Sequence, residues 1–316
     1  KRGLVAEPMA VAKGDAAGAG AGGADTPDQT QDAASPPPRT AEDVTADAAA
    51  GASFTDQDLR GLDLSGQDLA ETDFSRSDLT GAVFRGARLG GAIFADADLT
   101  DADLSGADLT GANLAGATLN SARLTDAALG DADLTEADLT GATLAGATLT
   151  DTVFDRAVLN RADLGGVEAA GAIFIAADLT GARLADGDFR GADFSGGVLD
   201  GIDATSARLD DAAIEGASCP DACFDRASLT GLRAAEGSDF SRSTFVAIEG
   251  AESVWGDAIL TGADFSFARL ERASFRRATM TGGNLYGADL KFARFDRADL
   301  AGRSEEHTSE LQSLLI

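Results

Sequence analysis

Between Phe54 and Leu300 a large apolar residue recurs every five positions. We call this residue the centre of a unit whose typical sequence is Ala-Asp-Leu-Thr-Gly, as at 107–111. The centres run in step from Phe54 to Leu229, and after one extra residue they resume at Phe240. A repeat this regular constrains the fold before any other feature, because each unit must bury its apolar face against its neighbours. The weak centres are Ala169, Ala204, Cys219 and Gly250.

A spacing of five residues fits neither regular secondary structure. On an α-helix, five residues advance the side chain by about 140° beyond a full turn, so the centres would scatter around the helix. On a flat strand, successive centres would fall on opposite faces of the sheet. A chain that turns a corner after every unit can point all its centres at one shared axis. The spacing therefore predicts a solenoid.

The aromatic centres indicate the length of one coil. They recur at multiples of 20 residues along one column, and a second aromatic column lies ten residues out of phase. A coil of about 20 residues holds four units and has four sides. Alanine two residues before the centre suits a second inward position, and glycine two residues after it suits a turn with positive φ. The extra residue before Phe240 is predicted to form a surface bulge in one turn. The first column contains Phe54, Phe74, Phe94, Phe154, Phe174, Phe194, Trp255, Phe275 and Phe295, and the second contains Phe84, Phe224, Phe245 and Phe265.

These units resemble the pentapeptide-repeat family, whose consensus is Ala-(Asp/Asn)-Leu-x-x. The resemblance extends over residues 54–300. It implies an all-β protein, a right-handed quadrilateral β-helix with about 12 coils of about 20 residues. We assign this β-helix to residues 51–302.

Residues 1–50 differ in composition from the repeats. They are rich in Ala, Gly, Asp and Pro, with an Ala/Gly run at 17–23 and three consecutive prolines at 36–38. Such a composition cannot bury enough apolar surface to offset the entropy of ordering, so we predict a disordered linker. The chain begins at Lys1, and an upstream domain in a longer protein is left open.

Residues 303–316 are interpreted as a non-native tail. The stretch 303–313 looks like translated sequencing-adapter sequence, and the repeat stops abruptly at Gly302. The tail is therefore excluded from fold reasoning. It contains His307, the single histidine of the chain, which consequently carries no functional weight.

The chain is strongly acidic, with a formal net charge of −28 at pH 7. Acids dominate residues 96–138, where Arg123 is the one basic residue, whereas basic residues outnumber acids in 269–297. An acidic rod is not expected to bind nucleic acid directly or to bind an anionic membrane surface. Asp and Arg alternate at equivalent positions of stacked coils, which relieves repulsion between like charges. The candidate acidic surface that would mimic DNA consists of Asp98, Asp101, Asp103, Asp108, Asp131, Asp133, Glu136 and Asp138.

The sequence lacks the convergent groups of an active site. Apart from His307 there is no histidine for a nucleophile–base pair or a zinc site. The aspartates follow the repeat consensus without EF-hand spacing, and the repeats contain no phosphate-binding loop. Two cysteines are too few for a disulfide framework, and we expect Cys219 to face inward and Cys223 outward. We therefore predict a protein that is not an enzyme and has no catalytic, metal-binding or cofactor-binding residues.

Aromatic residues outside the centres mark a candidate contact surface near the end of the repeats. Phe267 and Phe292 lie two residues after a centre, so both should point outward. Arg272 lies one coil before Phe292 and is expected to stack on it. This basic and aromatic surface either contacts a partner or packs under a cap. Its candidate contact residues are Phe267, Arg272, Tyr286, Phe292, Arg277 and Arg297.

Three functional classes are compatible with these features. The first is a protein-interaction scaffold with an unknown partner. The second is an acidic DNA mimic, since the pentapeptide-repeat family includes quinolone-resistance proteins that protect DNA gyrase and are similar to a duplex in shape and charge; a type II topoisomerase would then be the partner. The third is a passive targeting or spacer module of a larger protein. A homodimer is left open, and a cytoplasmic location is expected. No stretch approaches the roughly 20 apolar residues of a membrane span.

Overall fold

The computed structural model describes residues 39–302, which belong to a compact unit that begins at Arg39. Residues 1–38 of the linker predicted for 1–50, and the tail predicted for 303–316, lie outside the described residues. Between Asp58 and Asp299 the backbone forms isolated parallel β-bridges instead of long strands. The residue before each centre pairs with its equivalent one coil later. The described residues therefore form a repeat β-solenoid.

The bridges fall into four parallel ladders, and each ladder advances by 20 residues per step, apart from one step of 21 at the inserted residue. We name them by their first residues: the Asp58 ladder starts with Asp58↔Asp78, the Asp63 ladder with Asp63↔Val83, the Asp68 ladder with Asp68↔Arg88 and the Asp73 ladder with Asp73↔Ile93. Neighbouring coils are further joined by main-chain hydrogen bonds from each centre, such as the Leu59 N–H to the Asp78 carbonyl at 2.8 Å.

A corner separates each ladder from the next. The corner residue lies two positions after the centre and has a positive φ throughout the described repeats, whether or not it is glycine. Gly111 has a φ of 65°, and Ala176 has a φ of 54° at the equivalent position. The predicted turn with positive φ is confirmed. Each non-glycine corner residue is strained, because the left-handed conformation costs L-residues about 1–2 kcal/mol.

The core is a stack of centres around the solenoid axis. Phe174 is fully buried, and its ring stacks on Phe154 at 4.7 Å and on Phe194 at 4.8 Å between centroids. The second aromatic column meets the first nearly at right angles, as in the pair Phe74 and Phe84 at 74°. The alanines two residues before the centres are buried as well. The sequence pattern therefore correctly separated inward from outward positions.

Large centres beside weak ones require local adjustments. Phe189 follows the weak centre Ala169 by one coil, and its ring approaches Phe174 at 6.3 Å. Gly187 replaces the usual alanine there, because a Cβ at this position would lie 2.5 Å from the Phe189 ring. Trp255 follows the weak centre Gly250 and is fully buried, and its indole N–H donates to Ser253 Oγ at 2.8 Å, which satisfies the buried donor.

The one-residue insertion is absorbed as a bulge, as predicted. Bridges across it join residues 21 apart, as in Ser218↔Asp239, and the spacing returns to 20 at Asp239↔Ile259. Gly237 supplies the extra residue with a φ of 84°. The buried Ser238 hydroxyl donates to the Ile214 carbonyl at 2.8 Å and holds the bulge to the preceding coil. The ladders therefore continue in register on both sides.

One prediction about the N-terminal region is wrong. The disordered linker was assigned to residues 1–50, but Ala41–Ala49 form a helix, α1. Thr40 caps the helix, accepting the Asp43 N–H at 3.2 Å while Asp43 accepts the Thr40 N–H at 3.0 Å. This reciprocal capping box nucleates a short helix that average composition does not reveal.

Helix α1 covers the first coil of the solenoid. Its Val44 is fully buried in the common core, with Ala41 and Ala48 packed beside it. The Arg39 guanidinium lies over the Phe54 ring at 5.4 Å from the centroid, within the range of a cation–π contact. Phe54 is consequently buried although it is the first centre. The all-β prediction therefore needs one helical cap added.

Candidate functional site

Few ionisable groups lie in the interior of the described part of the chain. No cluster of three or more His, Cys, Asp or Glu side chains within 39–302 is arranged to hold a metal ion. Cys219 is a buried free thiol whose pKa is raised by burial, and Cys223 is a half-buried free thiol, as the sequence predicted. No helix within 39–302 is long and apolar enough to cross a membrane. The candidate site is therefore sought on the surface.

An exposed aromatic pair lies at the corner between the Asp63 and Asp68 ladders. Phe267 is 56% exposed and Tyr286 is 44% exposed, and their rings meet edge to face at 5.3 Å. The Phe267 ring rests over Gly287, where a Cβ would lie 2.8 Å from Phe267 Cδ1. The Phe267 N–H donates to the Tyr286 carbonyl at 2.8 Å. Two of the predicted contact residues are thus brought together.

Phe292 projects from the next corner, between the Asp68 and Asp73 ladders, and is 69% exposed. The predicted stacking of Arg272 on Phe292 is wrong, because Arg272 is drawn to acids instead. Its Nη1 lies 3.5 Å from Glu252 Oε1 and its Nη2 lies 3.9 Å from Glu271 Oε1. The guanidinium lies toward these two carboxylates, and among the described residues it makes no cation–π contact with the Phe292 ring.

Arg277 and Arg297 occupy a third corner, between the Asp73 and Asp58 ladders. Arg277 Nε donates to Asp257 Oδ1 at 2.6 Å, and the second hydrogen bond of this bidentate pair joins Arg277 Nη2 to Asp257 Oδ2. Hydrogen bonding from Arg277 lowers the pKa of the Asp257 carboxyl. Arg297 has no ion pair within residues 39–302. The predicted contact residues therefore lie at three successive corners. Among them, a direct contact between two aromatic rings is found only at the Phe267 corner.

The backbone at both exposed phenylalanines is strained. Phe267 and Phe292 each have a φ of 60°, which is rare for a bulky residue. Elsewhere in the described repeats this position holds glycine, small or charged residues. Each phenylalanine thus combines the left-handed strain with an apolar ring left in water. Backbone strain that is not offset by burial of the side chain is typical of functional positions.

The predicted acidic residues do not lie on one face. Two belong to the Asp58 ladder, one to each of the other three ladders, and three to corners. Acidic side chains thus surround the solenoid over these coils. The ladder members are Asp98 and Asp138, then Asp103, Asp108 and Asp133, and the corner members are Asp101, Asp131 and Glu136.

Asp103 is buried, at 3% exposure, and does not offer a free charge. Its carboxylate forms ion pairs with Arg85 and, at 2.8 Å, with Arg123 Nη2, and it accepts the Ser105 hydroxyl at 2.6 Å. Burial raises its pKa, but the hydrogen bonds from Ser105, Arg123 and Arg85 outweigh burial and leave the pKa well below its ordinary value. The alternation of Asp and Arg along the ladder explains the Arg123 contact.

Stability should depend on the ionisation of Asp103. Because its pKa is lowered in the folded state, the stabilisation it provides is present above its ordinary value of 3.8 and is lost as the pH falls below it. We expect Asp103→Asn to cost about 1–3 kcal/mol at neutral pH, the range for hydrogen bonds to charged groups. Urea unfolding from pH 7 to pH 3 should show this difference shrinking with acidity.

The matched control for the pH experiment is Asp108→Asn. Asp108 holds the equivalent position in the next ladder but accepts only the Thr110 N–H, at 3.1 Å, and has no ion pair within 39–302. A cost for Asp103→Asn that stayed constant down to pH 3, or equalled that of Asp108→Asn, would contradict the role of the buried carboxylate.

Exposed aliphatic side chains form a feature that sequence reasoning did not single out. Ile175, Val198, Val254 and Ile259 are 37–40% exposed. All four lie on the Asp58 ladder, the Asp73 ladder or the corner between them. The sequence did contain a sign of this feature, because these four aliphatic residues stand at positions that are usually polar in the repeats. β-Branched residues suit a pleated surface, which accounts for them without a ligand.

The described chain is a repeat β-solenoid with an aromatic surface near one end and acids surrounding its middle coils. Its sequence matches the family profile described as pentapeptide repeats, in eight copies, over more than half of the chain. The protein therefore belongs to the pentapeptide-repeat family. The matched residues are 50–86, 58–96, 97–135, 132–168, 157–196 and 258–295.

Solved structures of other pentapeptide-repeat proteins are similar to this chain. HetL, from the cyanobacterium Nostoc sp. strain PCC 7120 and involved in heterocyst differentiation regulation, shares 30% identity over 82% of this chain and 96% of its own, with a TM-score of 0.44. A protein of the Arabidopsis thaliana thylakoid lumen shares 46% identity over 31% of this chain and 69% of its own, with a TM-score of 0.31. QnrB1, a plasmid-mediated fluoroquinolone resistance protein, shares 17% identity over 84% of this chain and 99% of its own, with a TM-score of 0.26. No curated protein sequence matches the chain.

Proposed function

We propose that this protein is a non-enzymatic interaction scaffold that binds a protein partner through the exposed corners at Phe267 and Phe292. The supporting observation is the strained, positive φ of two exposed phenylalanines at corners that elsewhere hold glycine, alanine, serine or charged residues. Aromatic side chains are enriched among the residues that dominate binding energy in protein interfaces. The proposed rod is a right-handed quadrilateral β-helix of about 12 coils of about 20 residues.

A cytoplasmic location is part of the same proposal. Both cysteines are free in the described structure, which suits a reducing compartment. The rod would present its surface without chemistry of its own, so binding and not turnover is the property to measure.

Replacing Phe292 by glycine should raise stability while weakening partner binding. The change removes left-handed strain worth about 1–2 kcal/mol and loses little burial, because the ring is 69% exposed. We expect a gain of about 1 kcal/mol in the free energy of unfolding. Phe267→Gly should be close to neutral, since it also loses the ring contact with Tyr286. Urea unfolding measures both.

Partner binding is tested with the double variant Phe267→Gly/Phe292→Gly, which serves as bait in cells of the source organism. The control is Ala176→Gly, which relieves the same strain at a corner without removing a ring. Cross-linking followed by mass spectrometry should identify a partner retained by the wild type and by Ala176→Gly but lost from the double variant. Identical recovery from all three baits would overturn the proposed contact surface.

A second candidate function is mimicry of duplex DNA toward a type II topoisomerase. It is favoured by the distribution of the acids, which surround the coils as phosphates surround a duplex. Against it, Asp103 is neutralised by Arg85 and Arg123, and Glu136 pairs with Arg156 at 2.8 Å. Dose-dependent inhibition of gyrase supercoiling, or protection of gyrase from a quinolone, would support mimicry. A folded sample without effect would exclude it for gyrase.

A further inference from the structure

Two parts of the solenoid carry opposite charge. We call residues 96–138 the acidic belt and residues 269–297 the terminal coils. The belt has ten acids and a single basic residue, Arg123, and the terminal coils have seven basic residues and three acids. The two segments are separated along the chain, so they cannot neutralise each other within one rod of stacked coils. Charge complementarity of this kind specifies which surfaces meet.

The belt leaves most of its charge without an internal partner. Within 39–302, ion pairs reach only Asp103 and Glu136 among its ten acids. The belt also has no exposed large apolar side chain, and the two corners on either side of Asp108 are glycine, Gly106 and Gly111. An added Cβ at either glycine would meet no atom within 4 Å, so these two corners are open to bulky side chains.

Several cations of the terminal coils can change partners at little cost. Their contacts are exposed, as in Arg272 with Glu252 at 3.5 Å and Arg276 with Asp296 at 3.6 Å. Exposed pairs of this kind contribute little to stability. Arg297 has no ion pair within the described residues. An incoming carboxylate can consequently compete for these guanidinium groups.

We propose that the terminal coils of one copy bind the acidic belt of a second copy. Phe267 and Phe292 would rest on the Gly106 and Gly111 corners of the belt, while Arg272 and Lys291, at the Phe292 corner, face its unpaired carboxylates. The inference rests on the proposed function of the two aromatic corners. The contact joins two different surfaces, so it leaves one of each free and extends into head-to-tail assemblies.

Sedimentation velocity of the full chain tests the assembly. At low ionic strength the mean sedimentation coefficient should rise continuously with protein concentration. It should return to the monomer value in about 1 M salt, where the Debye length is about 3 Å. A protein that stays monomeric at every concentration would overturn self-association. The scaffold proposal would not be affected, because the cross-linking experiment tests it separately. A discrete dimer that does not grow would overturn the head-to-tail contact.

Charge exchange gives the sharper test. The end variant carries Arg272→Glu/Lys291→Glu, and the belt variant carries Asp126→Arg/Asp131→Arg. Asp126 and Asp131 are corner residues on either side of the Asp68 ladder, a position that holds arginine elsewhere, as at Arg161, so folding should be retained. Each variant alone should lose association, and a mixture of the two should regain it. Circular dichroism verifies that both are folded.

The matched control is Arg226→Glu, which reverses an arginine without an ion pair within 39–302, two coils before Phe267 and outside the terminal coils, and should leave assembly unchanged. The double variant Phe267→Gly/Phe292→Gly should abolish assembly without loss of stability. Assembly that survives either charge variant, or a mixture that fails to regain it, would overturn the belt as the binding surface.

Discussion

Replacing Phe174 by alanine should lower the free energy of unfolding by about 3–5 kcal/mol, the range for a buried phenylalanine truncated in a core. The ring is fully buried and contacts a ring above and a ring below, at 4.7 and 4.8 Å between centroids. Its loss would leave a cavity between Phe154 and Phe194, because the coils are tied to each other by main-chain hydrogen bonds and cannot collapse along the axis. Urea unfolding followed by far-ultraviolet circular dichroism measures the loss.

Ile175→Ala is the control for this prediction, since it alters the next residue of the same coil. Ile175 points outward and is 40% exposed, so its truncation should change stability by about 0.5 kcal/mol or less. Equal losses for the two variants would mean that the axis is not the main source of stability.

Replacing Val44 by aspartate should detach helix α1 and lower stability by about 2–3 kcal/mol. This is the transfer free energy of a buried valine together with the cost of placing a carboxylate in an apolar contact. Val44 is fully buried, and the helix it anchors covers the first coil. Hydrogen exchange should accelerate at the Phe54 amide, which donates to the Asp73 carbonyl at 2.7 Å, before it does so in the middle coils.

The control is Ala46→Asp, which introduces the same charge on the exposed side of the same helix. It should leave the first coil protected and alter stability little. If Val44→Asp left exchange at Phe54 unchanged, α1 would not act as a cap.

The sequence anticipated most of the fold because the repeat is local. Once the spacing of five excluded helix and flat strand, the position of each residue relative to its centre fixed whether it points in or out. Cys219 and Cys223 illustrate this, one buried and one half-buried as expected. The same rule placed Phe267 and Phe292 outside.

Contacts between coils were harder to anticipate. Arg272 could reach a ring one coil ahead or an acid one coil behind, and only the side-chain geometry shows that it chose Glu252. The burial of Asp103 depends on Arg85, which lies 18 residues before it on an adjoining corner and does not belong to its ladder. The edge-to-face contact of Phe267 with Tyr286 likewise joins residues 19 positions apart.

The sequence analysis missed helix α1 because only a few residues indicate it. A Thr40–Asp43 capping box and one apolar residue, Val44, are outweighed in a composition average that includes the Ala/Gly and proline runs. The helix is stabilised mainly by packing against the first coil of the solenoid. A window of local sequence contains no information about that contact.

The sequence by itself determined the solenoid, the side of each residue and the sign of the charge along it, because a five-residue period acts within each unit. The tertiary structure alone decided that the acids surround the rod instead of forming one face, that Asp103 is neutralised and that a helix closes the first coil. These outcomes depend on which side chains meet when coils stack. Which side chains come into contact depends on how neighbouring coils stack, since this brings together residues about 20 positions apart. Several side chains can then compete for one partner.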